Sequence, residues 1–213
     1  MAMKSKRRLL NIEEQSATMS NCLLQYREDP NSILMSLLQS GLGLASILSG
    51  ILHVPRHVFI AKDLRAPCPC SCSIGALTET NFIYMDECVI SRQQWPYREL
   101  RAYIEREIQE QRAEIARLKK THRSPHGLPE LAGRNVLFVN DGTASSTSLI
   151  ASIESFHSLG AGRIVLAVPS DTMRIGKDIE HRVDELIVTS PSDHNSEPRR
   201  TAQTPTFDHP WVA

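Results

Sequence analysis

The sequence predicts an α/β fold with a mainly parallel, doubly wound sheet, a long amphipathic helix and a small β-rich hood. Apolar runs typical of buried strands alternate with stretches of helical periodicity along the chain. The clearest unit is residues 135–169, in which "NVLFV" is followed by a polar loop, a helical pattern, the stop Gly160-Ala161-Gly162 and "RIVLAVP". A crossover of this length favours parallel pairing, and such sheets bind ligands at the carboxyl ends of their strands.

The elements upstream follow the same alternation. Residues 1–30 are polar and predict an N-terminal extension with a short helix around 17–27, and Asp29-Pro30-Asn31 is a turn signal. Beyond the turn, the spacing predicts a buried strand over 33–38 and a helix over 42–52. The next apolar run, "HVFIAKDL", predicts one further strand.

The stretch from 32 to 54 has an alternative interpretation, because it contains no formally charged residue and is long enough to span a bilayer. The polar cluster Gln39-Ser40-Gly41 divides it into a β-like run and a helix-like run. A buried strand, loop and helix explain that division, whereas a spanning helix does not.

The middle of the chain predicts the hood and the long helix. "SIGAL" predicts a small strand or turn, and "NFIYMDECVI" is β-rich. Residues 96–123 predict a long charged helix with one apolar stripe, formed by Leu100, Ile104, Ile108, Ile115 and Leu118. The stripe favours packing on the protein's own sheet, with a coiled coil, a lid or a partner surface as alternatives.

The C-terminal third completes the parallel sheet. The helical pattern after the polar loop covers 147–159, a short helix is predicted from 178 towards 182, and "ELIVT" predicts a last strand. Residues 192–213 are poor in apolar side chains and predict a flexible tail.

Composition excludes several classes of function. The 213 residues suit one domain with extensions, and their formal net charge of zero leaves no basic footprint for a nucleic-acid or membrane partner. The basic start is not followed by a secretory apolar region, which predicts a cytoplasmic protein with reduced thiols. Cys68, Cys70 and Cys72 alternate and leave a soft-metal site as an alternative; because no second pair of cysteines follows, no metal site is predicted.

The loop "NDGTASSTS", residues 140–148, is the candidate site. A loop between a strand and a helix N-terminus directs backbone N–H groups into one concavity that favours an anion. The hydroxyls of Ser145, Ser146, Thr147 and Ser148 add donors, and Asp141 can accept hydrogen bonds from a sugar. A polar turn with serine and threonine helix caps explains the same residues without a ligand.

The stretch "VLFVNDGTASSTS" resembles the phosphoribosyl-diphosphate motif of type I phosphoribosyltransferases, two acidic residues followed by Gly-x-Ala-Thr-Gly-x-Thr. The flanks "LPELAGRNVLFVNDG" and "GAGRIVLAVP" resemble a bacterial subfamily of predicted phosphoribosyltransferases that has a long charged helix before this motif. Upstream, "SILMSLLQSGLGLASIL" and "HVFIAKDL" are similar to that subfamily's Pro-Arg-Gly-Gly loop and its Arg-Lys-Leu strand. The resemblance covers most of a domain predicted at 31–191.

The resemblance implies transfer of a ribose 5-phosphate unit from phosphoribosyl diphosphate to a nitrogenous base, with Mg²⁺, by a homodimer. The implied ligand is phosphoribosyl diphosphate or a phosphorylated nucleoside, and the acceptor base has no legible motif. By position, Asn140 and Asp141 match the acids that bind the ribose. The residues that match the 5-phosphate cradle are Gly142, Thr143, Ala144, Ser145, Ser146, Thr147 and Ser148. Those that match the diphosphate-binding loop are Gln39, Ser40 and Gly41, and Lys62 matches the family's basic pair.

Several of these positions depart from the family pattern. The first acid is Asn140, Gln39 stands where the family has arginine, and Asp63 puts a carboxylate where a cation is expected. Ser71 stands near a family glutamate, and Ser146 replaces a glycine, which costs about 1 kcal/mol or more if that position needs a positive φ. Two hypotheses follow: an active transferase of unusual specificity, and a catalytically impaired relative that binds a nucleotide or phosphosugar as a regulatory or partner subunit.

Overall fold

The computed structural model describes residues 12–67, 72–92, 97–122, 127–169, 176–189 and 199–202. Its helices are α1 (Ile12–Leu23), α2 (Leu42–Leu52), α3 (Glu87–Ser91), α4 (Tyr97–His122), α5 (Ser146–Ser158) and α6 (Lys177–Glu180). Its strands are β1 (Ser32–Leu37), β2 (Arg56–Phe59), β3 (Ala61–Arg65), β4 (Ser73–Thr78), β5 (Ile83–Met85), β6 (Asn135–Val139), β7 (Arg163–Pro169), β8 (Glu185–Thr189) and β9 (Arg199–Ala202).

The central sheet has six strands in the order β2-β1-β6-β7-β8-β9. The first five strands of this order pair in parallel, and β9 joins the edge of β8 in antiparallel orientation. The α/β class and the mainly parallel sheet are therefore confirmed.

Both faces of the central sheet are covered, which explains why its strands are continuous apolar runs. Side chains alternate between the faces, so Leu137 and Val139 of β6 pack towards α1 and α2, whereas Val136 and Phe138 pack towards α5. On the α5 side, Phe156 meets the rings of Phe59 and Phe138 edge-on, with ring centroids 4.8 and 5.2 Å apart. Leu149, Ile150 and Ile153 of α5 belong to the same apolar cluster, so the helix packs on the sheet along most of its length.

A small antiparallel sheet, β3-β4-β5, packs on the other side of α5 and forms the predicted hood. Helix α4 covers the far face of this small sheet, where Ile115 and Leu118 join Ile60 and Leu64 in one apolar cluster. Of the stripe predicted on the long helix, Ile115 and Leu118 are therefore buried on the protein's own sheet, and Ile104 and Ile108 are partly buried beside them.

Two predictions for the hood region were wrong in detail. The single strand predicted from "HVFIAKDL" is two strands in different sheets, because Ile60 leaves the central sheet: its N–H donates to Glu79 Oε1 at 2.9 Å and its carbonyl accepts from Glu79 N. The β-rich stretch at 81–90 contains only β5 before α3 begins, and the Asp86 side chain caps α3 by accepting from Val89 N at 3.0 Å.

Both predicted extensions contain structure that packs on the domain. In the N-terminal one, Met19 and Leu23 of α1 are fully buried against α2 and the sheet. In the predicted flexible tail, 199–202 form β9 instead, and Arg200 donates to the Cys22 carbonyl of α1 at 2.6 Å. The partners that hold "RRTA" in place are distant in sequence, so its polar composition does not reveal them.

The uncharged stretch from 32 to 54 folds as strand, loop and helix, as predicted. Within the part of the chain that the structure describes, no helix combines the length and apolarity that a membrane crossing requires.

Candidate functional site

Two loops meet at the carboxyl edge of the central sheet, because β1 and β6 are adjacent and parallel with Ser36 opposite Val139. Gly41 in the β1–α2 loop adopts a φ of +85° and immediately precedes α2. A Cβ atom at this position would lie 2.9 Å from the Val139 carbonyl oxygen. Only glycine accommodates both the left-handed backbone and this close approach of the two loops.

Ser40 joins the two loops through its side chain, which is 4% exposed. Its hydroxyl donates to Asp141 Oδ1 at 2.6 Å and accepts from Asn140 Nδ2 at 2.8 Å, and it lies 2.9 Å from Thr143 Oγ1, whose proton goes to Asp141. The only proton of the Ser40 hydroxyl therefore goes to the Asp141 carboxylate, and its oxygen accepts from the Asn140 amide.

Asp141 is held as an ionised carboxylate by these loops. Besides the Ser40 bond, its Oδ1 accepts from Thr143 N at 3.0 Å and Thr143 Oγ1 at 2.6 Å, and its Oδ2 accepts from Gly41 N at 3.0 Å. Partial burial by itself raises the pKa of Asp141, but the hydrogen bonds from Ser40, Thr143 and Gly41 outweigh burial and lower it below 3.8.

Asn140, predicted to contact the ribose, points into the protein and is fully buried. Its Nδ2 donates to Ser40 and its Oδ1 accepts from Gly142 N at 2.6 Å. The amide thus organises the loop from within, since both of its ends already bond to protein. A carboxylate here would lack the donor that reaches Ser40.

The first residues of α5 form the serine helix cap that was one of the two interpretations of this loop. Ser145 precedes the helix with extended backbone angles, and its Oγ accepts from Ser148 N at 3.0 Å. Ser146 is the first residue of α5 and is absent from the described non-glycine residues with positive φ. The strain expected if this position required a positive φ therefore does not arise.

A carboxylate of the small sheet accepts hydrogen bonds from the hydroxyls at the start of α5. Asp63 Oδ1 accepts from Ser145 Oγ at 2.5 Å, from Ser148 Oγ at 2.6 Å and from Thr147 Oγ1 at 3.3 Å. Ser73 of β4 extends the cluster with an Oγ–Oγ1 distance of 2.6 Å to Thr147. Among the described residues, no lysine or arginine forms an ion pair with Asp63 or Asp141.

The hydrogen bonds from α5 to Asp63 were not predicted from the sequence, where Asp63 was noted only as a carboxylate in place of the family's cation. The available signal was strand alternation. Ala61 packs into the cluster beside α5 and Leu64 into the cluster beneath α4, so Asp63 must share the face of Ala61.

Among the described contacts, no hydrogen bond joins Gln39 or Lys62 to this cluster. Gln39 is exposed and Lys62 is half-buried. By strand alternation Lys62 projects towards α4, where the pKa of Glu114 is lowered by its hydrogen bond from Arg117 and further by the charge of Lys62. Ser71, Cys68 and Cys70 lie outside the described residues.

The side chains of the site are a poor fit to a protein-bound Mg²⁺. The described residues include no group of three or more acidic, histidine or cysteine side chains that would hold a metal. Asp141 already accepts four hydrogen bonds, which leaves it few lone pairs for a cation.

Comparison with known proteins bears on the fold. No protein-family model matches the chain. The structure of TT1426 from Thermus thermophilus is similar over 87% of this chain and 86% of that chain, with a TM-score of 0.64 and 20% identity, which shows a shared fold.

Phosphoribosyltransferases are also among the similar solved structures. A purine phosphoribosyltransferase from Pyrococcus horikoshii aligns over 93% of both chains at 14% identity, with a TM-score of 0.43. A hypoxanthine-guanine phosphoribosyltransferase from L. donovani aligns over 85% of this chain and 80% of that chain at 14% identity, with a TM-score of 0.45. At these scores the likeness carries no argument about activity.

Proposed function

We propose that this protein is a phosphoribosyltransferase relative that binds the ribose unit of a ribose-containing ligand at residues 140–148 and does not catalyse diphosphate-dependent transfer. It would then serve as a regulatory or partner subunit. The observation that carries the proposal is the state of Asp141, a hydrogen-bonded carboxylate at the carboxyl edge of the sheet in a loop that resembles the ribose-binding motif.

Asp141 supports ribose binding because its position and charge are both fixed. Four donors hold the carboxylate before any ligand arrives, so little side-chain entropy is lost on binding. Oδ2 accepts only from Gly41 N and retains a lone pair for one sugar hydroxyl. A hydroxyl that donates to an ionised acceptor forms one of the stronger hydrogen bonds in proteins.

The same surroundings oppose transfer chemistry. Departure of diphosphate places several negative charges on the leaving group, which catalysis must neutralise with cations or a metal. In the described part of the site, the loop at 38–41 offers the neutral Gln39, Lys62 projects towards α4, and Asn140 is turned inward. The proposal therefore departs from the active transferase that the resemblance implies, and Mg²⁺ remains a prediction of that alternative alone.

Calorimetry on the full chain separates the two functions. We expect binding of a nucleoside or pentose ligand without Mg²⁺, and no release of diphosphate from phosphoribosyl diphosphate with Mg²⁺ and a panel of nitrogenous bases. Tight Mg²⁺-dependent binding of phosphoribosyl diphosphate, or any base-dependent release of diphosphate, would establish the active transferase instead.

A pair of matched variants tests the role of Asp141. Asp141→Asn keeps the shape and removes the charge, and should weaken binding at least tenfold. Asp29→Asn is the control, because Asp29 also accepts several hydrogen bonds and has a lowered pKa, caused chiefly by its hydrogen bond from Ser32, but lies at the opposite end of the sheet. Equal binding by the two variants would contradict the ribose site at Asp141.

The homodimer implied by the resemblance and the cytoplasmic location predicted from the cysteines and the polar start of the sequence remain expectations within this proposal. Sedimentation of the purified chain would measure the first. The apolar stripe of α4 is not the expected dimer surface, because its Ile115 and Leu118 are buried on the small sheet and its Ile104 and Ile108 pack against the same cluster.

A further inference from the structure

We infer that Asp63 determines the specificity of this site and selects a ribose ligand without a 5-phosphate, such as a nucleoside or a free pentose, over its phosphate ester. The inference rests on the proposed ribose site and names the class of ligand that it takes.

The first step is the set of donors that Asp63 uses. The resemblance assigns the hydroxyls at the start of α5 to a ligand phosphate. Ser145 and Ser148 instead donate to Asp63 Oδ1 at 2.5 and 2.6 Å, and Thr147 approaches the same oxygen at 3.3 Å. A phosphate placed here would find its hydroxyl donors already bonded to a protein carboxylate.

The second step is that the backbone beneath Asp63 is fixed. Asp63 is the middle residue of β3 and pairs with Ala76 of β4, while its neighbours Lys62 and Leu64 pair with Leu77 and Gly75. Leu64 is fully buried under α4. The carboxylate belongs to the interior of a paired, covered strand, so the backbone cannot carry it away from α5 without moving the small sheet.

The third step is charge. A phosphate monoester brings a charge of about −1.5 to −2 at neutral pH. Beside Asp63 it would face a carboxylate that no cation among the described residues neutralises. Like charges in contact are a recognised means by which a site rejects one ligand in favour of another.

A ligand hydroxyl, unlike a phosphate, can bind favourably beside Asp63. Asp63 Oδ2 accepts no hydrogen bond from the described residues, whereas Oδ1 accepts three. The 5-hydroxyl of a nucleoside or pentose can donate to Oδ2 and add no charge. The residue that repels a phosphate therefore provides an acceptor for the unphosphorylated sugar.

The test compares ribose with ribose 5-phosphate on the full-length protein, by NMR titration of its amide resonances. For the native protein we expect ribose to bind at least tenfold more tightly than ribose 5-phosphate. Asp63→Asn keeps the shape and removes the charge, so its affinity for ribose 5-phosphate should rise at least tenfold while its affinity for ribose changes less than threefold. Asp63→Ser provides a second, smaller neutral side chain should the amide disturb the hydroxyl cluster.

The control for charge alone is Glu114→Gln, which removes one negative charge from α4 on the far face of the small sheet. It should leave both affinities within threefold of the native values. If the native protein binds ribose 5-phosphate as tightly as ribose and Asp63→Asn changes neither, the role of Asp63 is refuted and the ribose site stands. If neither sugar binds to the native protein or to either Asp63 variant, the proposed function itself fails, and this inference with it.

Discussion

Ser40→Ala tests whether one hydroxyl holds the two loops of the site together. The substitution removes the 2.6 Å bond to the Asp141 carboxylate, and bonds of this charged kind contribute about 1.5–3 kcal/mol. It also leaves the Nδ2 of the fully buried Asn140 without its acceptor, at a further cost of about 1–3 kcal/mol. Because the bonds share one network and do not add fully, we expect a loss of about 3 kcal/mol from the free energy of unfolding.

Urea denaturation followed by circular dichroism would measure this loss. Ser46→Ala is the matched control, since Ser46 lies exposed on α2 and should change stability by less than about 0.5 kcal/mol. A loss below about 1 kcal/mol for Ser40→Ala would refute the argument that its hydroxyl organises the site.

The pH dependence of the same variant provides an independent check. The folded-state pKa of Asp141 is lowered, so its contribution is present above the ordinary value of 3.8 and is lost as the pH falls through the folded-state value. Ser40→Ala removes one of the bonds that lower this pKa. We therefore expect the pKa of Asp141 to rise towards 3.8, and the stability gap between native and variant proteins to narrow in acid. An unchanged pKa in an NMR titration would contradict the assignment.

Two further substitutions probe the backbone and the C-terminal strand. Gly41→Ala should cost at least about 2 kcal/mol in thermal denaturation, because the positive φ and the 2.9 Å approach to the end of β6 both oppose a Cβ atom. Gly50→Ala is the control: Gly50 lies in open space within α2, so the substitution should stabilise the protein by about 0.5–1 kcal/mol. Equal effects of the two substitutions on stability would contradict this reasoning. Arg200→Ala should cost about 1 kcal/mol and speed amide hydrogen exchange in β9 but not in β6, because it breaks the bonds that tie β9 to α1 and β8. Arg27→Ala, in an exposed ion pair, is its control, and unchanged exchange in β9 would show that the strand is held by other contacts.

Predictions from sequence succeeded where local patterns specify structure. The bounds of α2 were predicted at 42–52 and found at Leu42–Leu52, because Gly41 marks its start and its apolar positions recur at helical spacing. The strand "NVLFV" and the helix that follows the polar loop agree within one residue. Prediction failed at Ile60 and in β9, where Glu79 and Arg200 make contacts that no local pattern encodes.

The sequence by itself determined the alternation of strands and helices and the position of the polar loop at 140–148. These depend on periodicity, turn residues and helix caps, each set within a few neighbouring residues. Only the tertiary structure decided what that loop contacts. Ser40 reaches Asp141 across 101 positions, and Asp63 reaches Ser145 across 82. Hydrogen bonds between distant residues depend on how sheets and helices pack, which is why the phosphate cradle implied by the resemblance contains a carboxylate of the protein itself.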